Sequence, residues 1–245
     1  MKYTTPTGQY YKLFKNMSEQ NHLLIAGKTG SGKSVIVNGI ITTLLYQLPS
    51  QVGFILIDPK RVELSPYKNI PHTIRYASEQ KDMISALQYA MEICDTRYKE
   101  MQKKGLRKFP GGHIYVIIDE WADLMTTNKR LAAPLIQRLA QVGRASNVHV
   151  ILCTQTPIAK IIPTEIKCNF DSRVGLRTRS AQDSRNILGY SGLEELPAYG
   201  QGIYMTPNEE TKYIIPFVTE EEQRRLIKHW ERQTKKFRLF EKKYI

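Results

Sequence analysis

Cysteine is scarce in this sequence, and neither a long apolar run nor an apolar leader is present. The three cysteines, Cys94, Cys153 and Cys168, are too few and too widely spaced for a disulfide scaffold or a Cys-x-x-Cys zinc site. No apolar run approaches the roughly 20 residues that a membrane-spanning helix needs. The first residues contain no signal-peptide core. These absences predict a protein of the reducing cytoplasm with no membrane span of its own.

Acidic residues are also scarce relative to basic ones. The 245 residues include 36 Lys+Arg and 23 Asp+Glu, which gives a formal net charge of +13. Such an excess predicts a polyanionic partner, nucleic acid first, and the alternative is a basic surface that only keeps the protein soluble. The hydrophobic fraction of 41% and the charged fraction of 24% are typical of a globular chain and exclude a disordered or fibrous one.

Apolar runs alternate with helical patterns along the chain, which predicts an α/β fold with a mostly parallel central sheet flanked by helices. The predicted strands are His22–Ala26, Gly53–Asp58, Ile114–Asp119, Val148–Thr154 and Arg173–Arg177. The predicted helices are Lys33–Gln47, Glu79–Lys104, Ala132–Val142 and Ala181–Leu188. A small hairpin of strands at Gln201–Met205 and Thr211–Phe217 and a charged helix from Glu220 to about Phe240 complete the pattern. We expect a lead-in over residues 1–20, one domain over 21–218 and the charged helix within 219–245.

A phosphate-binding loop is the strongest local signal. Residues 27–34 read Gly-Lys-Thr-Gly-Ser-Gly-Lys-Ser, a complete G-x-x-x-x-G-K-[ST] pattern between a predicted strand and a predicted helix. The glycines allow backbone N–H groups to surround phosphate oxygens at the positive end of the helix. The candidate nucleotide contacts are Gly27, Lys28, Thr29, Gly30, Ser31, Gly32, Lys33, Ser34 and Val35. Lys33 is expected to reach the β- and γ-phosphates and Ser34 to bind Mg²⁺, and the alternative is a glycine-rich turn that binds no nucleotide.

Two further polar groups follow predicted strands. Asp119 and Glu120 end the apolar run that begins at Tyr115. Asp119 is expected to hold Mg²⁺, and Glu120 to orient and deprotonate an attacking water, which favours hydrolysis over transfer to a substrate hydroxyl. Gln155 ends the next strand along the chain and is the candidate sensor of the γ-phosphate, with a polar strand cap as the alternative.

Taken together, these residues resemble the motor domain of the FtsK/SpoIIIE family, within the FtsK–HerA branch of P-loop ATPases. The resemblance covers roughly residues 21–205 and includes the run Asp-Pro-Lys-Arg-Val-Glu-Leu over residues 58–64, which generic P-loop proteins have no reason to carry. It implies a RecA-like fold, ATP and Mg²⁺ as cofactors, and a ring, hexameric in the family, that moves double-stranded DNA through its channel.

The resemblance also implies that a neighbouring subunit supplies an arginine to the nucleotide. Arg144, in the run Gly143-Arg144-Ala145, matches that position in the family. A cation supplied in this way stabilises the charge of the transition state. The alternative for Arg144 is an ion pair at a helix end, and Arg138 is a weaker candidate for the same role.

Family members contact DNA through basic residues that follow the strand ending in the sensor glutamine. On that pattern Lys167 and Arg185 match, and other basic side chains lie nearby. The candidate DNA-contacting residues are therefore Lys160, Lys167, Arg179 and Arg185. The family usually has basic residues where this chain has Thr156 and Ala181. Each candidate has the alternative of a solvated surface residue, and Arg185 has the further alternative of contacting ATP.

The leading hypothesis is an ATP-hydrolysing, ring-forming double-stranded DNA translocase from a plasmid, phage or integrative element. The membrane spans, linker and DNA-reading domain of related cell-division translocases do not fit into 245 residues. We therefore expect an accessory DNA-reading or membrane-anchored partner protein. The alternatives are a coupling or secretion ATPase that moves a protein or nucleoprotein, and a nucleic-acid-binding switch without motor activity.

Overall fold

An eight-stranded sheet forms the centre of the computed structural model, which describes residues 14, 16–17, 19–197, 200–214 and 219–233. The strands are β1 (His22–Ala26), β2 (Val52–Ile57), β3 (Thr73–Ala77), β4 (His113–Ile118), β5 (Val148–Thr154), β6 (Ser172–Leu176), β7 (Gln201–Met205) and β8 (Glu210–Ile214). Their order across the sheet is β3-β2-β4-β5-β1-β6-β7-β8. The first six strands are parallel, and β7 and β8 extend the sheet as an antiparallel hairpin. The expected mostly parallel α/β fold is confirmed.

Helices cover both faces of the sheet. They are α1 (Lys33–Leu44), α2 (Gln80–Lys104), α3 (Trp121–Thr127), α4 (Lys129–Ser146), α5 (Thr164–Lys167), α6 (Ala181–Leu188) and α7 (Glu220–Glu231). Local signals fix several ends: the hydroxyls of Ser180 and Thr219 accept backbone N–H bonds at the starts of α6 and α7, and Gly105 ends α2 in a left-handed conformation. Within the described ranges, no helix has the length and apolarity needed to cross a membrane.

The core consists of two large apolar clusters, one on each face of the sheet. Leu24 of β1 packs into the cluster beneath α2 and α4, whereas Leu23 and Ile25 pack into the cluster beneath α1 and α7. Successive residues of a strand point to opposite faces, so a strand covered on both faces must be apolar at every position. That requirement explains the continuous Val/Ile/Leu/Phe runs of the sequence.

The C-terminal helix α7 is docked on the core. Trp230 is buried, and its indole Nε1 donates to the backbone oxygen of Leu45 at 2.9 Å. Its ring also meets the ring of His72 edge-on at 4.6 Å between centroids. Phe14, from the predicted lead-in, is buried on the same face and fills the space left by Gly39, where a Cβ would lie 2.3 Å from the ring.

Several predicted boundaries are corrected by the structure. Strand β3 was not expected, because its sequence Thr-Ile-Arg-Tyr-Ala is only half-buried at the sheet edge and lacks a continuous apolar run. Helix α4 begins at Lys129 rather than Ala132 and includes Pro134. The short helices α3 and α5 were also missed. Helix α7 ends at Glu231, and the remainder of the helix expected up to Phe240 lies almost wholly outside the described residues. Residues 215–217 of the last predicted strand and most of the lead-in also lie outside them.

Buried histidines are held neutral within this fold. Burial lowers the pKa of His22 and His72 to about 4 and that of His149 to about 3. His149 Nδ1 lies 3.1 Å from the backbone oxygen of Gln20 and therefore donates to it. Its Nε2 then accepts from His113 Nδ1 at 2.8 Å, so both rings are hydrogen-bonded in their neutral forms.

Replacing His72 with Gln is expected to flatten the acid dependence of stability. His72 has an ordinary pKa of 6.5 when unfolded and about 4 when folded, so the unfolded chain binds the extra proton between these values. Wild-type stability therefore falls with decreasing pH in this window more steeply than that of the variant, by up to about 1.4 kcal/mol per pH unit. Urea unfolding at pH 7.5, 6.0 and 5.0 measures both slopes. Equal slopes would contradict the burial of a neutral imidazole.

Candidate nucleotide-binding site

The polar residues that follow β1, β4 and β5 meet at the side of the sheet where the parallel strands have their carboxyl ends. These strands are neighbours and run parallel, so their carboxyl ends lie side by side. A cavity of about 630 Å³ opens there. It is lined by residues 29–30 and 32–35 of the phosphate loop, by Asp119 and Gln155, and by Lys60, Val62 and Glu63 from the connection between β2 and β3. Its volume is in the range of small-molecule and cofactor sites.

Glycine conformation shapes the phosphate loop. Gly30 and Gly32 have φ angles of 75° and 104°, in the left-handed region that favours glycine. Gly27 is required for another reason, because a Cβ there would lie 2.6 Å from Leu176 Cβ. No side chain caps the start of α1 at Gly32 in the described structure, so the N-terminal N–H groups of that helix face the cavity as donors for an anion.

Lys33 is folded over the loop that precedes it. Its Nζ donates to the backbone oxygens of Gly27 at 2.7 Å and Lys28 at 3.0 Å. Burial lowers the pKa of Lys33 to about 8, and the negative charge of Glu120 opposes the shift. The ammonium therefore remains mostly charged at neutral pH, at the base of the cavity where polyphosphate oxygens would need it.

Asp119 is a buried carboxyl among other acids. Burial first, and then the charges of Asp58 and Glu63, raise its pKa to about 7. A divalent cation would relieve this repulsion, and Ser34 supplies a hydroxyl in the same cavity. No cluster of three or more His, Cys, Asp or Glu side chains suited to a metal occurs among the described residues. The arrangement fits Mg²⁺, which uses one or two protein ligands and completes its shell with phosphate and water oxygens.

Glu120 is held in place by four hydrogen-bond donors. Its Oε1 accepts from Thr154 Oγ1 at 3.0 Å, from the backbone N–H of Gln155 at 3.1 Å and from that of Ala122 at 3.4 Å. Its Oε2 accepts from Lys60 Nζ at 3.1 Å. Glu120 is only 3% exposed, and both its sequence neighbour Asp119 and its hydrogen-bond partners Lys60 and Gln155 line the cavity.

Sequence reasoning missed Lys60 as a site residue. The run over residues 58–64 served only as a mark of family resemblance, yet it directly follows β2 at the edge where the site forms. Asp58 is fully buried, and its Oδ2 accepts the backbone N–H of Leu64 at 3.1 Å. That hydrogen bond joins the two ends of the 58–64 run, and Lys60, which lies between them, contacts Glu120. The position of Lys60 could have identified it, because charged residues that follow a buried parallel strand lie at its carboxyl end, where ligands bind in such sheets.

Gln155 lies beside the phosphate loop, as expected from the adjacency of β5 and β1. Its Oε1 accepts from Thr29 Oγ1 at 2.6 Å. The side chain is half-buried and lines the cavity. Its role as a γ-phosphate sensor stays a prediction.

Arg144 lies far from the cavity of the chain that carries it. It is exposed in the last turn of α4, just before β5 begins, whereas the cavity lies where β5 ends. The seven residues of β5 separate the two by roughly 20 Å. Among the described residues, no hydrogen bond or ion pair occupies Arg144, and Arg138 is exposed one helical face earlier.

The candidate DNA contacts lie outside the cavity. Lys160, Arg179 and Arg185 are exposed and Lys167 is half-buried. None of them belongs to the described lining of the cavity, and the role of Arg185, at DNA or at ATP, stays a prediction. Arg173, a further basic residue of this stretch, is structural, since its guanidinium donates to the backbone oxygens of Phe170 and Ile187.

Comparisons with known proteins agree with this geometry. The model of the FtsK/SpoIIIE family matches residues 5–113 and 110–159. The DNA translocase FtsK of Bradyrhizobium diazoefficiens is 34% identical, over 89% of this chain and 32% of the relative. That of Rickettsia prowazekii is also 34% identical, over 86% of this chain and 34% of the relative. The chain thus spans about a third of the length of the curated relatives it matches.

Solved structures share the fold. The pCW3 conjugation coupling protein TcpA, in its monomer form with ATPgS, has a TM-score of 0.74 at 23% identity, over 87% of this chain and 66% of that chain. The cytoplasmic domain of the Type VII secretion ATPase EccC of Thermomonospora curvata has a TM-score of 0.72 at 21% identity, over 86% and 28%. These likenesses confirm the expected P-loop ATPase fold.

Binding of MgATP at pH 6.5 is expected to release up to about one proton from Asp119. With a pKa of about 7 the carboxyl is mostly protonated at this pH, and a cation beside it favours the charged form. At pH 8.5 the carboxyl is already ionised and no release is expected. Calorimetry in buffers of different ionisation enthalpy measures the protons exchanged, with Asp119→Asn as the control. Equal release from both proteins at pH 6.5 would contradict the assignment.

Proposed function

The chain belongs to the FtsK/SpoIIIE family of P-loop ATPases, and we propose that it hydrolyses ATP to move double-stranded DNA through a ring of its own copies. The observation that carries the proposal is the position of Glu120. This carboxylate is buried and held by four donors, and its sequence neighbour Asp119 and its partner Lys60 line the same cavity as the phosphate loop. A fixed carboxylate there suits activation of water, whereas a site that only binds nucleotide has no need of it.

In the proposed hydrolysis, each residue has one task. Lys33 and the N–H groups at the start of α1 bind the β- and γ-phosphates. Ser34 and Asp119 hold Mg²⁺, which neutralises phosphate charge when bound. Glu120 orients the water whose oxygen attacks the γ-phosphorus, and it accepts the proton as the bond to ADP breaks. Gln155, in contact with the loop at Thr29, detects whether the γ-phosphate is present.

Assembly into a ring would complete the site. Arg144 is exposed and is separated from its own cavity by the length of β5. A neighbouring copy could place its Arg144 at this cavity, and a head-to-tail association that does so forms a ring when the rotation between subunits closes. The proposal takes the ring to be a hexamer, as the family resemblance implies.

Double-stranded DNA is the proposed substrate. Support comes from the net charge of +13, from the exposed Lys160, Arg179 and Arg185, and from relatives that are DNA translocases. Lys167 is included although it is half-buried. Contacts to phosphates would bind DNA without sequence preference. The proposal further includes a cytoplasmic location, an origin in a plasmid, phage or integrative element, and an accessory DNA-reading or membrane-anchored partner protein.

Long linear duplex DNA is expected to raise the steady-state ATPase rate severalfold, with an effect that weakens as salt increases, because phosphate contacts release counterions. The measurement is a coupled ATPase assay with and without DNA across a salt series. Glu120→Gln provides the blank. A rate that is lost in the variant but indifferent to DNA would contradict the DNA substrate and support a coupling or secretion ATPase instead.

Arg144→Ala and Lys33→Ala are each expected to lower hydrolysis by about a hundredfold or more, since each removes a cation from the transition state. Mixing the two inactive variants should restore activity. An Arg144→Ala subunit retains an intact phosphate loop, and a Lys33→Ala neighbour can supply its arginine to it. The ATPase rate across mixing ratios, with peak recovery near equal amounts, tests this expectation. No recovery from a mixture that forms mixed oligomers would contradict a role of Arg144 between subunits.

A further inference from the structure

Lys60 is a second cation of the nucleotide site. It lies on the connection between β2 and β3, and its side chain is 40% exposed, whereas the side chain of its partner Glu120 is 4% exposed. Its Nζ is 3.1 Å from Glu120 Oε2, and the residue lines the cavity together with Lys33. A ligand that enters the cavity can therefore reach the Lys60 member of the ion pair.

The hydrogen bonds of Glu120 divide unequally between its two oxygens. Oε1 accepts from Thr154, Gln155 and Ala122, which fixes the carboxylate to β5 and α3. Among the described residues, Oε2 accepts only from Lys60. The oxygen left for an attacking water is thus the one that the ammonium covers.

The ammonium of Lys60 is within electrostatic reach of two other charged residues that line the cavity, Lys33 and Asp119. Its positive charge contributes to lowering the pKa of Lys33 and opposes the rise in the pKa of Asp119. A polyphosphate bound at Lys33 would therefore attract the ammonium of Lys60 as well. A lysine suits such a change of partner, because its compact charge is carried on a flexible four-carbon chain.

The backbone beneath Lys60 is held in place. Asp58 Oδ2 accepts the backbone N–H of Leu64 at 3.1 Å, and the backbone oxygen of Asp58 accepts the backbone N–H of Arg61 at 3.2 Å. A fixed backbone limits the movement to the side chain itself.

We propose that Lys60 detects the terminal phosphate of ATP and controls access to Glu120. In the empty or diphosphate-bound site its ammonium covers Oε2. When a triphosphate enters, the ammonium moves to the γ-phosphate and leaves Oε2 free to accept a proton from water. The inference rests on the proposed ATP hydrolysis, in which Lys60 contacts the γ-phosphate and thereby uncovers Glu120.

The test compares affinities for a non-hydrolysable ATP analogue and for ADP, both with Mg²⁺, in the wild type and in Lys60→Met. The variant is expected to bind the analogue about tenfold more weakly, the size of one lost charged hydrogen bond, and to bind ADP within about twofold of the wild type. Lys60→Arg keeps the charge and should retain most of the preference for triphosphate. Arg61→Gln, which removes the adjacent exposed cation outside the cavity lining, should leave both affinities unchanged.

Hydrolysis separates this role from simple support of Glu120. Lys60→Met should raise KM for ATP and also lower kcat. A fall in kcat with an unchanged ratio of ATP-analogue to ADP affinity would overturn the proposal, since Lys60 would then only hold the carboxylate. The proposal would also be overturned if Arg61→Gln weakened binding of the ATP analogue as much as Lys60→Met does.

The affinity measurements require neither DNA nor ATP hydrolysis. They therefore test the role of Lys60 even if the protein does not translocate DNA. Glu120 keeps three donors in Lys60→Met, and cooperative thermal unfolding near the wild-type temperature is expected. If Lys60→Met does not unfold cooperatively, Lys60→Gln, which retains a polar end group, replaces it in the test. The same loss of preference for triphosphate is expected.

Discussion

The parallel pairing of β1, β4 and β5 is the constraint on which the site depends. Each strand is buried on both faces and ends at the same edge of the sheet, so whatever follows it in sequence is delivered to one place. The phosphate loop, the acids after β4 and Gln155 after β5 meet for this reason. Strand β2, on the other side of β4, adds Lys60 by the same rule. Apolar packing thus sets the geometry of a polar site.

Charged side chains of both signs lie together in this site, and they are partly buried. Burial disfavours the charged form of both Lys33 and Asp119, which shifts their pKa values toward neutrality from opposite sides. Neighbouring carboxylates keep Lys33 charged, whereas the other acids discourage ionisation of Asp119. Such a site is prepared for a ligand that brings both a cation and a polyanion, and MgATP has this composition.

The two edges of the sheet have different chemistry. The carboxyl edge carries the cavity and the charged residues, whereas the amino edge carries neutral buried histidines and, just before β5, the exposed Arg144. The separation along β5 means that one copy cannot bring Arg144 to its own cavity. Function as we propose it therefore requires a neighbour.

The sequence by itself predicted seven of the eight strands and the phosphate loop, and it singled out Lys33, Asp119 and Glu120 as candidate site residues. Strands covered on both faces must be continuously apolar, and phosphate binding needs glycines followed by Lys and Ser, so both features are visible in short windows of residues. Only the tertiary structure decided that β3 completes the sheet edge, that Lys60 covers Glu120 and that Arg173 is structural. Those facts depend on contacts between segments far apart in sequence, such as the 60 positions between Lys60 and Glu120. No local pattern of residues encodes which oxygen of a buried carboxylate meets which distant cation, because chain packing alone brings them together.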